Sequence, residues 1–171
     1  MWGHALRLKV FLNRIPGMRF SVFYFVMTML CIMLAAPVYA QVTTIQAIEF
    51  GEFVSKRNDA QYDVTINTNG SYTFDSAGFI ELTAPQEGIY DIGGFANNAT
   101  IASVVVTQNT PLGSNPAAQF QMVNFQETHP ATTDGSGVAR ITIGATARTS
   151  GDGNPYGDAT YSGSIDITVN F

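Results

Sequence analysis

The sequence of 171 residues holds one cysteine, Cys31, and two histidines. Beyond Ala40 there is no cysteine at all, so neither a disulfide nor a thiolate metal site can hold that part together, and its hydrophobic core must suffice. Basic residues are equally scarce there. Lys56, Arg57, Arg140 and Arg148 stand against all thirteen acidic residues, a formal net charge of −9. Phosphate backbones and anionic membrane surfaces would be repelled, which sets aside nucleic acid and membranes as partners. Catalytic signatures are missing as well. His129 is the one histidine beyond Ala40 and precedes Pro130 in an expected loop, and there is neither a GxSxG elbow nor an HExxH helix. A loop histidine of this kind is ordinary surface, and carboxylates such as Glu49 alternate with apolar residues as a solvent face does. The expectation is a protein that is no enzyme and carries no cofactor.

The amino-terminal forty residues have a different character. Arg7, Lys9, Arg14 and Arg19 occur without any acid and lead into the apolar run "SVFYFVMTMLCIMLAAPVYA". A basic region, an apolar stretch and small residues before a cleavage point make a secretory signal peptide, with Val38 and Ala40 at the positions a signal peptidase reads. Residues 1–40 are therefore expected to be removed, and residues 41–171 to form one domain, exported to the periplasm, outer surface or medium, with no membrane contact after cleavage. Met18 offers a second start that gives the same product. The competing reading is an uncleaved anchor, since Phe20 to Ala36 approaches the roughly 18 apolar residues of a span. Cys31 lies inside the apolar stretch after Leu30, where a lipoprotein would need a small residue.

No stretch beyond Ala40 repeats its apolar residues with a period of 3.6; short runs of Val, Ile, Thr, Phe and Tyr are broken by Gly, Asn, Asp and Pro instead. That is an all-β pattern. Strands are expected at "IQAIEFGEFV", "QYDVTINT", "SYTFDS", "FIELTA", "GIYDIGGF", "TIASVVVTQ", "QFQMVNFQ", "VARITIGATAR" and "ATYSGSIDITVNF". Such a series predicts an immunoglobulin-like antiparallel sandwich of seven to nine strands. Asn69 and Gly70 predict a hairpin from Val64 to Phe74. The closing segment alternates Tyr161, Gly163, Ile165, Ile167, Val169 and Phe171 with polar residues, a half-buried strand expected to pair well inside a sheet. Between Ala159 and Phe171 there is neither Lys nor Pro and only Asp166 as a charge, so an exposed edge that another chain completes stands as the alternative.

Two binding sites merit naming. Asp152, Asn154 and Asp158 in "DGNPYGD" offer hard oxygen ligands for calcium, although Tyr156 and Gly163 stand where two EF-type ligands belong. Tyr62, Tyr72, Tyr90 and Tyr156 could display a glycan platform on a sandwich face, though alternating strands more often bury their aromatics.

The segments "AIEFGEF", "AGFIELT", "YDIGGF", "MVNF", "ITIGATA" and "YSGSIDITVNF", with the Asn-Gly hairpin, together resemble the secreted bacterial domain-of-unknown-function 4402 family over nearly the whole of residues 41–171. The resemblance implies an exported immunoglobulin-like sandwich of Gram-negative bacteria, similar in its closing strand to spore-coat-U-type proteins and chaperone–usher pilins. No catalytic residues come with it. It implies further that Tyr161, Ile165, Ile167, Val169 and Phe171 border a groove filled by strand addition from a periplasmic chaperone or another subunit, with the terminal carboxylate as a handle. The sequence departs from pilins in lacking a disulfide and in having only "QVTTIQ" ahead of "AIEFGEF" as a donor extension. Two functions follow as expectations: a structural, pilin-like assembly subunit, or a monomeric secreted module that binds a glycan or calcium.

Overall fold

The structure, a computed structural model, describes residues 40–113 and 119–171. The expected signal peptide lies outside the described residues, apart from Ala40. All regular structure among them is β: β1 (Gln41–Gln46), β2 (Glu52–Ser55), β3 (Asp63–Ile66), β4 (Tyr72–Phe74), β5 (Phe79–Thr83), β6 (Gly88–Gly93), β7 (Ser103–Gly113), β8 (Gln119–Thr128), β9 (Ala139–Arg148) and β10 (Ser162–Asn170). The fold is an all-β antiparallel sandwich. Among the described residues ten strands replace the seven to nine expected, because "IQAIEFGEFV" is divided between two strands by an irregular segment that keeps only a bridge from Glu49 to Gln86.

The main sheet runs β1-β6-β9-β8-β7-β10, every neighbouring pair antiparallel, and the short hairpin β3–β4 joins it through β9. β9 is the spine. One edge carries β6 along Ala139–Ile143 and then β3 along Ala145–Arg148, while the other carries β8. A strand so flanked has no free edge, and its inward face is fully covered: Ala139, Ile141, Ile143, Ala145 and Ala147 are all buried, while Arg140 on the other face is exposed. β2 and β5 form a separate two-stranded ribbon.

Period-2 alternation supplies two cores. Phe50, Tyr62, Val64, Ile66, Phe79, Phe120, Met122, Ala145 and Ala147 make the first. Tyr90, Ile92, Ile101, Val104, Ala139, Ile141 and Ile143 make the second. Ile48, Phe125 and Ile165 pack against both. The ribbon is fastened to the first core by Phe53, whose ring meets Phe74, Phe79 and Phe120 edge-on with centroids 4.8–5.9 Å away. Such pairs add to area burial about 0.5–1.5 kcal/mol each.

The hairpin forms as expected, with Val64 opposite Phe74 and Ile66 opposite Tyr72. Its turn is built by the Gly70 N–H donating to the Asn67 carbonyl at 3.1 Å, with only Gly70 at positive φ (76°), so it is a type I turn closed by a glycine bulge rather than a two-residue primed turn.

The closing strand corrects one expectation. β10 does not lie inside a sheet: among the described residues it pairs with β7 alone and ends the sheet order. Its stripe is accordingly half-buried rather than buried.

Candidate strand-addition edge

The edge is built by alternation and by a bulge. β10 lies antiparallel to β7, with Val169 opposite Val104, Ile167 opposite Val106 and Ile165 opposite Gln108. Ile165, Ile167 and Val169 turn toward the second core, while Ser164, Asp166, Thr168 and Asn170 turn to solvent. The solvent face is tied across to β7. Ser164 and Thr110 hydroxyls meet at 2.9 Å, Asn109 Nδ2 donates to Asp166 Oδ1 at 3.3 Å, and Asn170 Nδ2 donates to Ser103 Oγ at 2.9 Å. Register shifts between Ser162, Ser164 and Ile165 mark a bulge, and a Cβ at Gly163 would lie 2.7 Å from the Thr110 carbonyl oxygen. The glycine that interrupts the apolar stripe is thus where the two strands come closest.

Beyond the bulge, Ile165 to Asn170 runs regularly for about 20 Å. In an antiparallel edge strand alternate residues turn their backbone N–H and C=O away from the one neighbour, so this segment offers a row of unpaired groups. Of the devices that blunt natural edges, the bulge is present and Asp166 is the one charge. At the strand's start, Tyr161, Ser162, Gly163 and Ile165 face Ala47, Ile48 and Phe50 across an opening of about 250 Å³, floored by Tyr90, Leu112 and Met122. The chain segment that follows β1 therefore borders the same opening as the start of β10.

The expected groove residues are placed unequally. Tyr161 packs edge-on against Phe120 with centroids 5.1 Å apart, and its hydroxyl donates to the Gly157 carbonyl at 2.9 Å. Ile165 spans both cores, while Ile167 and Val169 belong to the second. Phe171 follows the strand, is 54% exposed, and rests on Phe95 with centroids 4.6 Å apart. "QVTTIQ" is no free extension here. It is β1, paired with β6 from Gln41 opposite Gly93 to Gln46 opposite Ile89, and it forms the other edge of the main sheet. β1 buries little, with Val42 57% and Ile45 52% exposed.

The calcium loop has an internal occupant. Asn58, 4% exposed, sends its Nδ2 to Ser150 Oγ (2.8 Å), Asp152 Oδ1 (2.8 Å) and the Asn154 carbonyl (2.9 Å), and its Oδ1 accepts from the Gly151 N–H at 2.8 Å. Asp152 also accepts from the Asn154 backbone N–H at 2.9 Å and from its side-chain amide at 3.0 Å. The backbone bond first, then the side-chain bonds from Asn154 and Ser150, hold the Asp152 carboxyl below its ordinary range. Asp152 and Asn154 are brought together around an amide, and Asp158 is bonded to neither. The missed residue is Asn58, ninety-four positions before Asp152; nothing local in the sequence signals that contact.

Nor are the four tyrosines gathered on one face. Tyr62 and Tyr90 are buried, in different cores. Tyr156 stacks on Phe120 at 4.1 Å, and Tyr72 reaches Glu81 Oε1 at 2.9 Å, which raises its hydroxyl above the ordinary range. His129 holds the Pro130 carbonyl through Nδ1 at 2.8 Å, with Glu127 Oε2 at 3.8 Å from Nε2.

The model of one family, described as a domain of unknown function (DUF4402), matches residues 40–171. The chain belongs to that family. The match spans every strand of this DUF4402 domain, from β1 through β10. No curated protein and no solved structure matches it.

Proposed function

We propose that this DUF4402 chain is a non-enzymatic, exported structural subunit, pilin-like in that it joins other subunits, or a periplasmic chaperone, by β-strand addition at β10. The observation that carries the reading is the open edge from Ile165 to Asn170 beside the apolar opening between Tyr161–Ile165 and Ala47–Phe50. An added strand would gain backbone hydrogen bonds from that edge and could set apolar side chains into the opening, the two sources of affinity and selectivity in strand addition. The basic, apolar and small-residue segments of residues 1–40 support export through a cleaved signal. In this reading β10 is the acceptor, and the donor comes from a partner, because the chain's own "QVTTIQ" is engaged with β6.

The test adds to the slight edge protection that the bulge and Asp166 supply. Ser164→Lys and Thr168→Lys add two lysines to the solvent face of β10, away from both cores, and lysine blunts natural edges. With the full chain expressed in a Gram-negative host, electron microscopy and size-exclusion chromatography of the product should show assemblies or a chaperone complex for the wild type and their loss in the double variant. A wild type that stays a lone monomer with its host's chaperones present, or a lysine variant that assembles equally well, refutes the reading. A secreted module for a glycan or calcium, the other function expected of the sequence, has less support, since Asp152 is engaged by amides and the four tyrosines are dispersed.

A further inference from the structure

The β2–β5 ribbon presents a second surface, distinct from β10. Val54 and Ile80 are register partners on its outward face, 47% and 49% exposed, and Leu82, two residues beyond Ile80, is 61% exposed. Three large apolar side chains together in water are unusual for a soluble surface and mark interaction sites when they are contiguous. The charges around them are ordered. Along β2 and just past it, Glu52, Val54 and Lys56 occupy alternate positions and all are exposed, whereas Phe53 and Ser55 between them turn inward. The face therefore reads acid, apolar, base along one line about 13 Å long.

Lys56 is the cation that stands out. Arg57 lies near Asp59, Arg140 pairs with Asp91 and Arg148 with Asp63, while Lys56 has no carboxylate partner among the described residues and rests on the Ser76 carbonyl oxygen. Among the described residues Glu52 carries only the Thr83 hydroxyl, at 3.2 Å.

We infer that the outward face of the β2–β5 ribbon is a self-docking surface whose occupant is the same face of a second copy, related by a two-fold axis through Val54 and Ile80. Such an axis turns the acid–apolar–base line onto itself reversed, so Glu52 of each copy meets Lys56 of the other while Val54, Ile80 and Leu82 are withdrawn from water. A two-fold interface is self-complementary by necessity, and this line satisfies that condition from one strand. The arrangement also answers the chain's strong negative charge, which would keep two copies apart unless the contact itself carried cations. The inference stands independently of strand addition at β10.

The experiment is sedimentation equilibrium on the product of the full chain from a bacterial host. A small patch predicts a weak, reversible dimer, with dissociation on the order of 10 µM. Leu82→Glu should weaken it at least tenfold. Lys56→Glu and Glu52→Lys should each weaken it about tenfold by setting like charges together, and the double variant should return to within about threefold of the wild type. All three positions face solvent, and unchanged melting verifies that each variant folds. A monomer throughout the concentration range, a dimer indifferent to Leu82→Glu, or a double variant no tighter than the singles overturns the inference. The β10 lysine variants should dimerise normally, so failure here and failure of the proposed function read out separately.

Discussion

Replacing Asn58 by aspartate tests the clasp that occupies the "SGDGN" loop. The change keeps shape and keeps Oδ1, which can still accept from the Gly151 N–H, but it turns a donating amide into a carboxylate oxygen facing Ser150 Oγ, Asp152 Oδ1 and the Asn154 carbonyl at 2.8–2.9 Å. Asn58→Ala provides the scale. It leaves the Gly151 N–H without its acceptor, at about 1–3 kcal/mol, while the freed acceptors of exposed Ser150, Asp152 and Asn154 can turn to water. Aspartate should cost more, about 3–5 kcal/mol at neutral pH, because an uncompensated buried charge is added beside Asp152. For a domain of this size that is a fall in midpoint on the order of 10–20 °C. The pH dependence fixes the cause. The new carboxyl would titrate above its unfolded value of about 3.9, so its penalty is full at pH 7 and fades as pH falls toward 4. Thermal unfolding followed by circular dichroism at pH 7 and pH 4 measures both. An Asn58→Asp protein that melts within about 2 °C of the wild type at pH 7, or no better relative to it at pH 4, refutes the clasp.

Gly144 is where β9 passes from β6 to β3, and an added Cβ would lie 2.4 Å from the Ile66 carbonyl oxygen and 2.9–3.0 Å from Asn67 backbone atoms. Gly144→Ala should cost at least the roughly 1–3 kcal/mol of ordinary overpacking in urea unfolding, while Gly135→Ala, with nothing within 4 Å, should stay within about 0.5 kcal/mol. Deleting Ser164–Phe171 should abolish cooperative melting: Ile165, Ile167 and Val169 are half-buried and contribute about 1 kcal/mol each beyond the β7 ladder, against a total stability of about 5–15 kcal/mol. Deleting Gln41–Gln46 should leave a folded domain, because Val42 and Ile45 are more than half exposed. Arg140 donates to both Asp91 oxygens at 2.7 and 2.8 Å, and that hydrogen bonding holds Asp91 below its ordinary range. The stability it supplies is present above the unfolded value of about 3.9 and lost as pH falls through the folded one, so the gap in midpoint between wild type and Arg140→Ala should close under acid.

What the sequence made legible is what period and turn chemistry encode. Alternation placed strands at all nine expected segments, and the Asn-Gly pair located the hairpin, because both signals are local. The break within "IQAIEFGEFV" escaped because the segment stays apolar through it, with Ile48 and Phe50 packing on the first core and Glu49 bridging Gln86 between two strands of different sheets. The "DGNPYGD" loop misled for a related reason. Asp, Asn and Gly are the residues of a calcium loop and equally of a loop folded around an amide, and the Asn58 contact that decides between them is remote in the chain. The tyrosines could not be assigned to faces, since membership of one core or the other depends on the path of β9 and β8 between them.

β10 shows why alternation alone could not place the closing strand. A period of two reports which face of a strand meets the core and is the same whether the strand has one neighbour or two. The number of neighbours is written elsewhere, in how fully the inward stripe is covered and in what guards the outer backbone. Ile165, Ile167 and Val169 are large enough to fill a core, yet with β7 as their only neighbouring strand among the described residues they remain partly open, and Phe171 beyond them stays exposed against Phe95. The opposite edge fails differently. β1 hangs on the β6 ladder with its valine and isoleucine in water, so losing it would uncover hydrogen-bonding groups but little apolar surface. Covering β10 would bury both. Of the two ends of this sheet, it is therefore the one where an incoming strand has more to gain, and that inequality, rather than the regularity of the final eleven residues, is what the proposal of assembly at this edge rests on.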